Sequence, residues 1–243
     1  MTATATIATR LATVRAEIAA ACERADRDPA GVTIVGVTKT QPVEAVHEAI
    51  EAGLVDLGEN RAQELLPKAE AAAAMGLAAR WHFIGHLQRN KVREVLPHIA
   101  VLHSLDSVRL ATELDRRIGQ QADDEQHSEQ QGGPDATRAL PCYLEVNVGG
   151  EASKEGVQPA QLGELLRGVA ALPRIEVAGL MTVAPPAGDP EQVRPVFREL
   201  RELAAAQGLA GLSMGMTDDY AVAIEEGATV VRVGRVIFGP RRG

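Results

Sequence analysis

One lysine of the sequence is placed where its amine could act as a nucleophile. Lys39 follows the short run Val-Gly-Val-Thr, at the point where a predicted strand ends. On spacing alone this lysine is most simply a solvated strand terminus. Partial burial would instead lower the pKa of the amine and suit it to form a Schiff base with a carbonyl compound.

Two later segments combine glycine with polar or basic residues. They are residues 214–219, Met-Gly-Met-Thr-Asp-Asp, and residues 232–239, Arg-Val-Gly-Arg-Val-Ile-Phe-Gly. Each glycine could be a plain turn residue, and neither segment is specific by itself. They lie at the carboxyl ends of the last two predicted strands, where loop N–H groups commonly bind phosphate in barrel proteins. Together they favour a phosphate site.

The predicted positions of these residues at strand ends rest on a repeated alternation of short apolar runs and segments of helical period. Eight such runs occur, at residues 32–37, 54–57, 81–84, 101–105, 142–148, 177–181, 212–216 and 230–233. The alternation predicts an α/β protein folded as a single TIM-type (β/α)8 barrel, in which the carboxyl ends of the strands share one mouth. Little chain follows the eighth run, so we expect the amphipathic helix beginning near Ile7 to cover that gap.

We expect one domain over residues 1–243, interrupted by a flexible loop. Residues 120–138 are polar and acidic and contain Gly-Gly-Pro. This segment joins a helix to the following strand, at the end of the barrel away from the mouth. We therefore predict no functional role for it.

Composition restricts the classes of partner. The 243 residues carry a formal net charge of −8, which disfavours binding to nucleic acid or to an anionic membrane. The only cysteines, Cys22 and Cys142, cannot form a disulfide framework, and no clustered ligands predict a metal site. The N-terminal region has no apolar run typical of a signal peptide or membrane span, so we expect a cytoplasmic protein, and a monomer.

Several motifs, in this order along the chain, resemble the pyridoxal phosphate homeostasis protein family. The block His-Phe-Ile-Gly-His-Leu-Gln at residues 82–88 is the most specific of them. The others are Val-Thr-Lys-Thr at 37–40, Gly-Glu-Asn-Arg at 58–61, Gly-Gly-Glu-Ala-Ser-Lys-Glu-Gly at 149–156, Gly-Leu-Met at 179–181, Met-Gly-Met at 214–216, and Val-Arg-Val-Gly at 231–234 with Ile-Phe-Gly at 237–239. The resemblance runs from the first predicted strand to the C-terminus.

This resemblance implies a barrel like the N-terminal domain of alanine racemase, a fold type III arrangement, with pyridoxal 5′-phosphate (PLP) attached to Lys39. It implies a role in intracellular PLP (vitamin B6) homeostasis, with possible delivery of PLP to apo-enzymes and no catalytic turnover. The cofactor phosphate would lie on the turn at Met214, Gly215 and Thr217 and on the backbone around Gly234. The pyridine nitrogen would lie beside Arg232, another residue carried over from the family.

Further residues carried over from the family would surround the ring. Asn60, His86 and Met181 would line the mouth, and Lys154 would lie close to the opening. Strand alternation would place His82 and His86 on one face, but neither a carboxylate nor a third ligand adjoins them in the sequence. We therefore expect no metal.

Two positions depart from the family pattern. Thr217 replaces the usual serine and keeps a hydroxyl donor, whereas Arg235 replaces a threonine or serine. At Arg235 a phosphate contact is either left to the backbone or replaced by a charged, bidentate one.

Two enzymatic alternatives remain open. An amino-acid racemase would need a second base opposite Lys39, which in racemases is a tyrosine from an additional domain. The chain is predicted to lack that domain, Tyr143 is expected at the start of a strand, and Tyr220 follows the phosphate turn. An arginine at the ring nitrogen would also weaken the electron sink of PLP. The second alternative is a Schiff-base aldolase or phosphosugar enzyme without a cofactor.

Overall fold

Eight parallel strands form a closed barrel in which each strand pairs with the next and β8 pairs with β1. The structure is a computed structural model that describes residues 5–127, 139–151 and 154–239. The predicted barrel is confirmed, with strand ends that differ by a few residues from those expected. The strands are β1 Thr33–Val37, β2 Asp56–Glu59, β3 Arg80–Phe83, β4 Val101–Leu105, β5 Leu140–Glu145, β6 Ile175–Met181, β7 Gly211–Met216 and β8 Val230–Val233.

Helices surround the strands and bury the apolar side chains between the two layers. They are α1 Ile7–Arg24, α2 Val43–Glu51, α3 Ala62–Ala74, α4 Val92–Val95, α5 Val108–His127, α6 Leu162–Val169, α7 Arg194–Ala206, α8 Tyr220–Glu225 and α9 Arg235–Phe238. Short 3₁₀ turns precede or follow several of them. No helix in the described part of the chain has both the length and the apolar character to cross a membrane.

Helix α1 closes the outer layer where the last helix is short. Its N-cap is Thr6, whose hydroxyl accepts a hydrogen bond from the Thr9 N–H at 3.2 Å. The apolar face of α1 packs against α8 and α9, and Arg10 Nε donates to the Ile237 carbonyl at 2.6 Å. The prediction that the N-terminal helix covers the gap after the eighth strand is confirmed.

Two sequence-based expectations about secondary structure are wrong. Residues 120–127, predicted as part of a loop, form the end of α5, because glutamine, alanine and glutamate favour helix when no breaker intervenes. The remainder of that predicted loop, residues 128–138, lies outside the described residues. Tyr143 lies in the interior of β5 rather than at its start, and its ring stacks on His103 with centroids 4.7 Å apart.

Candidate functional site

A cavity of about 330 Å³ opens at the carboxyl ends of several strands, the end of a (β/α) barrel that carries function. Six of the predicted site residues line it: Lys39, Asn60, Thr217, Arg232, Gly234 and Arg235. They come from the ends of β1, β2, β7 and β8, so residues far apart in the sequence converge on one space. Gln41, Met216 and Asp218 also line the cavity and were not predicted.

Lys39 is half-buried and lies two residues after the end of β1. The residue before it, Thr38, is fully buried, and its hydroxyl donates to Glu59 Oε1 at 2.6 Å. Lys68 of α3 donates both to Glu59 Oε1 at 2.6 Å and to the Thr38 carbonyl at 2.7 Å. Burial raises the pKa of Glu59, and the bonds from Lys68 and Thr38 oppose that rise.

The residue after Lys39 is fixed as well. Thr40 has a φ of 61°, a left-handed conformation that few residues other than glycine adopt. Its N–H donates to Glu64 Oε2 at 2.5 Å. Both neighbours of Lys39 are therefore bonded to carboxylates on the adjoining βα unit, which restricts where the amine can reach. Glu59 and Lys68 are nine residues apart, and no sequence motif signalled their pairing.

Arg232 is a buried cation in the wall of the cavity. Its Nη1 donates to Ser213 Oγ at 2.6 Å and its Nη2 donates to the Thr182 carbonyl at 2.9 Å. Burial lowers the pKa of Arg232 to about 10, while the negative charges of Glu145 and Asp219 oppose that fall. The guanidinium is therefore positively charged at neutral pH and fixed in its plane by two bonds.

The turn after β7 places a hydroxyl against the backbone that follows β8. Asp219 Oδ1 accepts the Met216 N–H at 2.6 Å and closes the turn. Thr217 Oγ1 then accepts the Gly234 N–H at 3.4 Å, a long bond that leaves both groups facing the cavity. A hydroxyl and a backbone N–H at one edge of a cavity are suited to an anion.

Gly215 has a structural reason to be glycine. Its φ is 91°, and an added Cβ would lie 2.6 Å from the Ala223 Cβ. Gly215 itself does not line the cavity. Arg235, by contrast, reaches the rim of the cavity. There the Arg235 Nη2 lies 2.7 Å from both carboxylate oxygens of the exposed Asp218.

Besides Gly215, three predicted residues are not brought to this cavity. Met181 and Met214 are 1% and 0% exposed, and their side chains belong to the core. His86 lies after the end of β3, so strand alternation stops before it reaches this residue. Its Nδ1 lies 3.4 Å from Asp106 Oδ2 and 3.6 Å from Glu155 Oε2. The expectation that no carboxylate adjoins His86 is therefore wrong.

Lys154 lies beside the opening. Its Nζ donates to the Val183 carbonyl at 3.3 Å and is 2.8 Å from Glu151 Oε1. Val183 lines the cavity. Lys154 itself does not, although it belongs to a neighbouring hollow on the same face.

A line of polar side chains, all buried except Asp56 at its far end, leads from the cavity into the barrel, and sequence reasoning missed it. Ser213 Oγ lies 2.7 Å from His103 Nδ1, and His103 Nε2 lies 2.9 Å from His82 Nδ1. His82 Nε2 in turn lies 2.9 Å from Asp56 Oδ1. The four residues belong to four different strands, so their spacing in the sequence gives no indication of contact.

The comparisons with known proteins agree on one family. The model of the alanine racemase N-terminal domain matches residues 10–242. A pyridoxal phosphate homeostasis protein of Aquifex aeolicus is 42% identical over 239 residues, which cover 96% of this chain and 97% of that protein. A protein of the same description from Escherichia coli K12 is 40% identical over 247 residues, covering 97% of each.

Solved structures extend the comparison. PipY of Synechococcus elongatus, in a structure with PLP bound, is 32% identical with a TM-score of 0.78, covering 96% of this chain and all of PipY. Alanine racemase of Corynebacterium glutamicum is 16% identical with a TM-score of 0.61, and the match covers 93% of this chain but 60% of that enzyme. The racemase shares the fold alone. The chain belongs to the pyridoxal phosphate homeostasis protein family.

Proposed function

We propose that this protein binds PLP in the 330 Å³ cavity, with Lys39 as the attachment point, and that it acts in PLP homeostasis. The observation that carries the proposal is the convergence of Lys39, Arg232, Thr217 and Gly234 on that one cavity. The names of the relatives and the PLP bound to PipY support the same ligand.

The cavity fits a small phosphorylated aldehyde. Its volume lies at the lower end of the range of about 300–1,000 Å³ for small-molecule sites. When bound, PLP supplies an aldehyde that condenses with an amine, a phosphate, and a pyridine ring that withdraws electrons. None of the other three lysines of the sequence, Lys68, Lys91 and Lys154, lines this cavity. Lys39 does line it.

Each end of the ligand would meet a different group. The Thr217 hydroxyl and the Gly234 N–H would turn from each other towards the phosphate, because their mutual bond is long. Arg232 has donors and no acceptor, so beside the pyridine nitrogen it would keep that nitrogen unprotonated. A phosphate contact from the Arg235 side chain would have to compete with its ion pair to Asp218.

The positions of the tyrosines favour a carrier over a racemase. Racemisation would need a second acid or base facing Lys39 across the ligand. Tyr143 is stacked on His103 inside the barrel, and Tyr220 donates to Glu17 on α1, with burial raising its pKa. Neither of these two described tyrosines lines the cavity. We therefore propose binding without turnover.

The proposal extends to the cellular role. A lysine that holds PLP reversibly hides a reactive aldehyde and can release it to an incoming amine. We propose that the protein works as a cytoplasmic monomer that delivers PLP to apo-enzymes. Apo-transaminase should regain activity faster with the loaded protein than with PLP released spontaneously in buffer. Recovery that only follows spontaneous release would exclude delivery and leave storage.

Spectroscopy and steady-state assays test binding and inertness separately. After incubation with PLP and removal of the unbound cofactor, the protein should keep a visible absorption band that borohydride abolishes, whereas a cofactor-free Schiff-base enzyme would be colourless. Assays with L- and D-amino acids should give no turnover. Rates in the common enzyme range of about 1–10³ s⁻¹ would identify a racemase or another PLP enzyme instead.

A further inference from the structure

The polar line through the barrel has a single consistent direction of hydrogen bonding. His82 lies between the Asp56 carboxylate, 2.9 Å from its Nε2, and His103, 2.9 Å from its Nδ1. A carboxylate can only accept, so the neutral His82 ring carries its proton on Nε2 and leaves Nδ1 as an acceptor. His103 must then donate from its own Nε2.

The same reasoning continues to the cavity. With its proton on Nε2, His103 accepts at Nδ1, and the nearest donor is the Ser213 hydroxyl at 2.7 Å. The Ser213 oxygen remains able to accept, and Arg232 Nη1 donates to it at 2.6 Å. Each group therefore donates to the next in one direction, in the order Arg232, Ser213, His103, His82 and Asp56. No other assignment of protons satisfies all four contacts with two neutral rings and an ionised Asp56.

Burial makes this direction costly to reverse. His82, His103 and Ser213 are 3%, 0% and 0% exposed, so a protonated ring here would be poorly solvated. Burial, together with the positive charge of Arg232, holds the pKa of His103 well below its ordinary value. The stacked ring of Tyr143 further limits rotation of the His103 imidazole.

We propose that Ser213, His103, His82 and Asp56 form a one-directional hydrogen-bond chain that positions the Arg232 guanidinium for its ligand. None of the four lines the cavity, so they act through Arg232 and are positioning residues. The chain supplies the acceptor for Nη1, and the Thr182 carbonyl supplies the acceptor for Nη2. The inference rests on the proposed function only in taking PLP as that ligand.

The first test uses the unaltered protein without ligand and so does not depend on PLP binding. Nitrogen-15 NMR of the histidine side chains should show His82 and His103 as neutral rings protonated on Nε2. His103, whose pKa lies well below its ordinary value, should keep this state across about pH 5–8, where an ordinary histidine titrates. A proton on Nδ1 of either ring, or a cationic His103 in this range, would overturn the proposed hydrogen-bond chain.

The second test measures whether Ser213 acts through Arg232. Removing the hydroxyl in Ser213→Ala should weaken PLP binding by about tenfold or more, since hydrogen bonds to charged groups are among the stronger ones. In an Arg232→Lys background the same change should have no further effect. Equal losses in both backgrounds would mean that Ser213→Ala damages the fold instead, and would refute the positioning role.

A matched control is available on β4, at the residue that follows His103. Ser104 is also fully buried, and its hydroxyl donates to the Gly85 carbonyl at 2.5 Å. Ser104 therefore takes no part in the proposed hydrogen-bond chain. Ser104→Ala should leave PLP affinity unchanged. If the wild-type protein binds no PLP, the proposed function fails. The NMR result still decides the direction of hydrogen-bond donation from Arg232 to Asp56.

Discussion

Glu145 should make the stability of this protein depend on pH near neutrality. It is the last residue of β5, 8% exposed, and close to the site. Burial raises its pKa to about 7; the positive charge of Arg232 opposes the rise, and the negative charges of Asp106 and Glu155 add to it. Replacing Glu145 by Gln keeps the size of the side chain and removes its titration.

The sign and size of this pH dependence follow from the difference in the pKa of Glu145 between the folded and unfolded states. In the unfolded chain the carboxyl group has its ordinary pKa of 4.5, so between there and about 7 only the folded state holds the proton. Stability from this group is complete below about pH 4.5 and is lost as the pH rises through about 7. At about 1.36 kcal/mol for each pKa unit, the loss is about 3 kcal/mol.

Urea denaturation at a series of pH values measures this effect. Relative to wild type, Glu145→Gln should gain about 3 kcal/mol of unfolding free energy between about pH 4.5 and pH 8. The exposed Glu176 on the neighbouring strand β6 provides the control, because Glu176→Gln should track wild type at every pH. A Glu145→Gln difference that stays constant with pH would refute the assignment of a buried, neutral carboxyl group.

Three further substitutions test other contacts. Glu59→Ala should lower the unfolding free energy by about 3–5 kcal/mol, because the buried Lys68 loses its nearest anion; a cost below about 1 kcal/mol in denaturation would show that the pair contributes little. Thr217→Val should cost about 1–3 kcal/mol of PLP affinity and leave pyridoxal binding nearly unchanged; equal weakening of both ligands in calorimetric titrations would indicate a damaged fold. Tyr220→Phe should destabilise the protein by about 1 kcal/mol, since its hydroxyl bonds Glu17 across to α1; an unchanged thermal midpoint would contradict that role.

The barrel was predictable because it depends on local patterns. Alternating apolar runs and helical periods fix the order of the elements, and parallel strands then bring their carboxyl ends to one mouth. Lys39, Thr217 and Arg232 were found for that reason, since each lies at or near a strand end. Met216 also lines the cavity and was not predicted; the pairing of β7 with β8 shifts register between Ser213 and this residue, which no sequence pattern indicates.

Contacts between distant residues were not predictable. The partners of His103, which are His82 on β3 and Ser213 on β7, follow from barrel closure and not from spacing in the sequence. The Glu59–Lys68 pair likewise depends on how α3 packs against β2. In both cases the polar residues are buried. Composition and periodicity predict apolar side chains at such interior positions, whereas the structure has polar side chains that hydrogen-bond to one another.

The most direct test of the central claim is to locate PLP on the chain. Protein saturated with PLP is reduced with borohydride, digested, and the peptide that carries the pyridoxyl group is identified by mass spectrometry. The label should be found on Lys39, and Lys39→Ala should lose the visible band while remaining folded. A label mainly on Lys68, Lys91 or Lys154, or a band retained in Lys39→Ala, would contradict the proposed site.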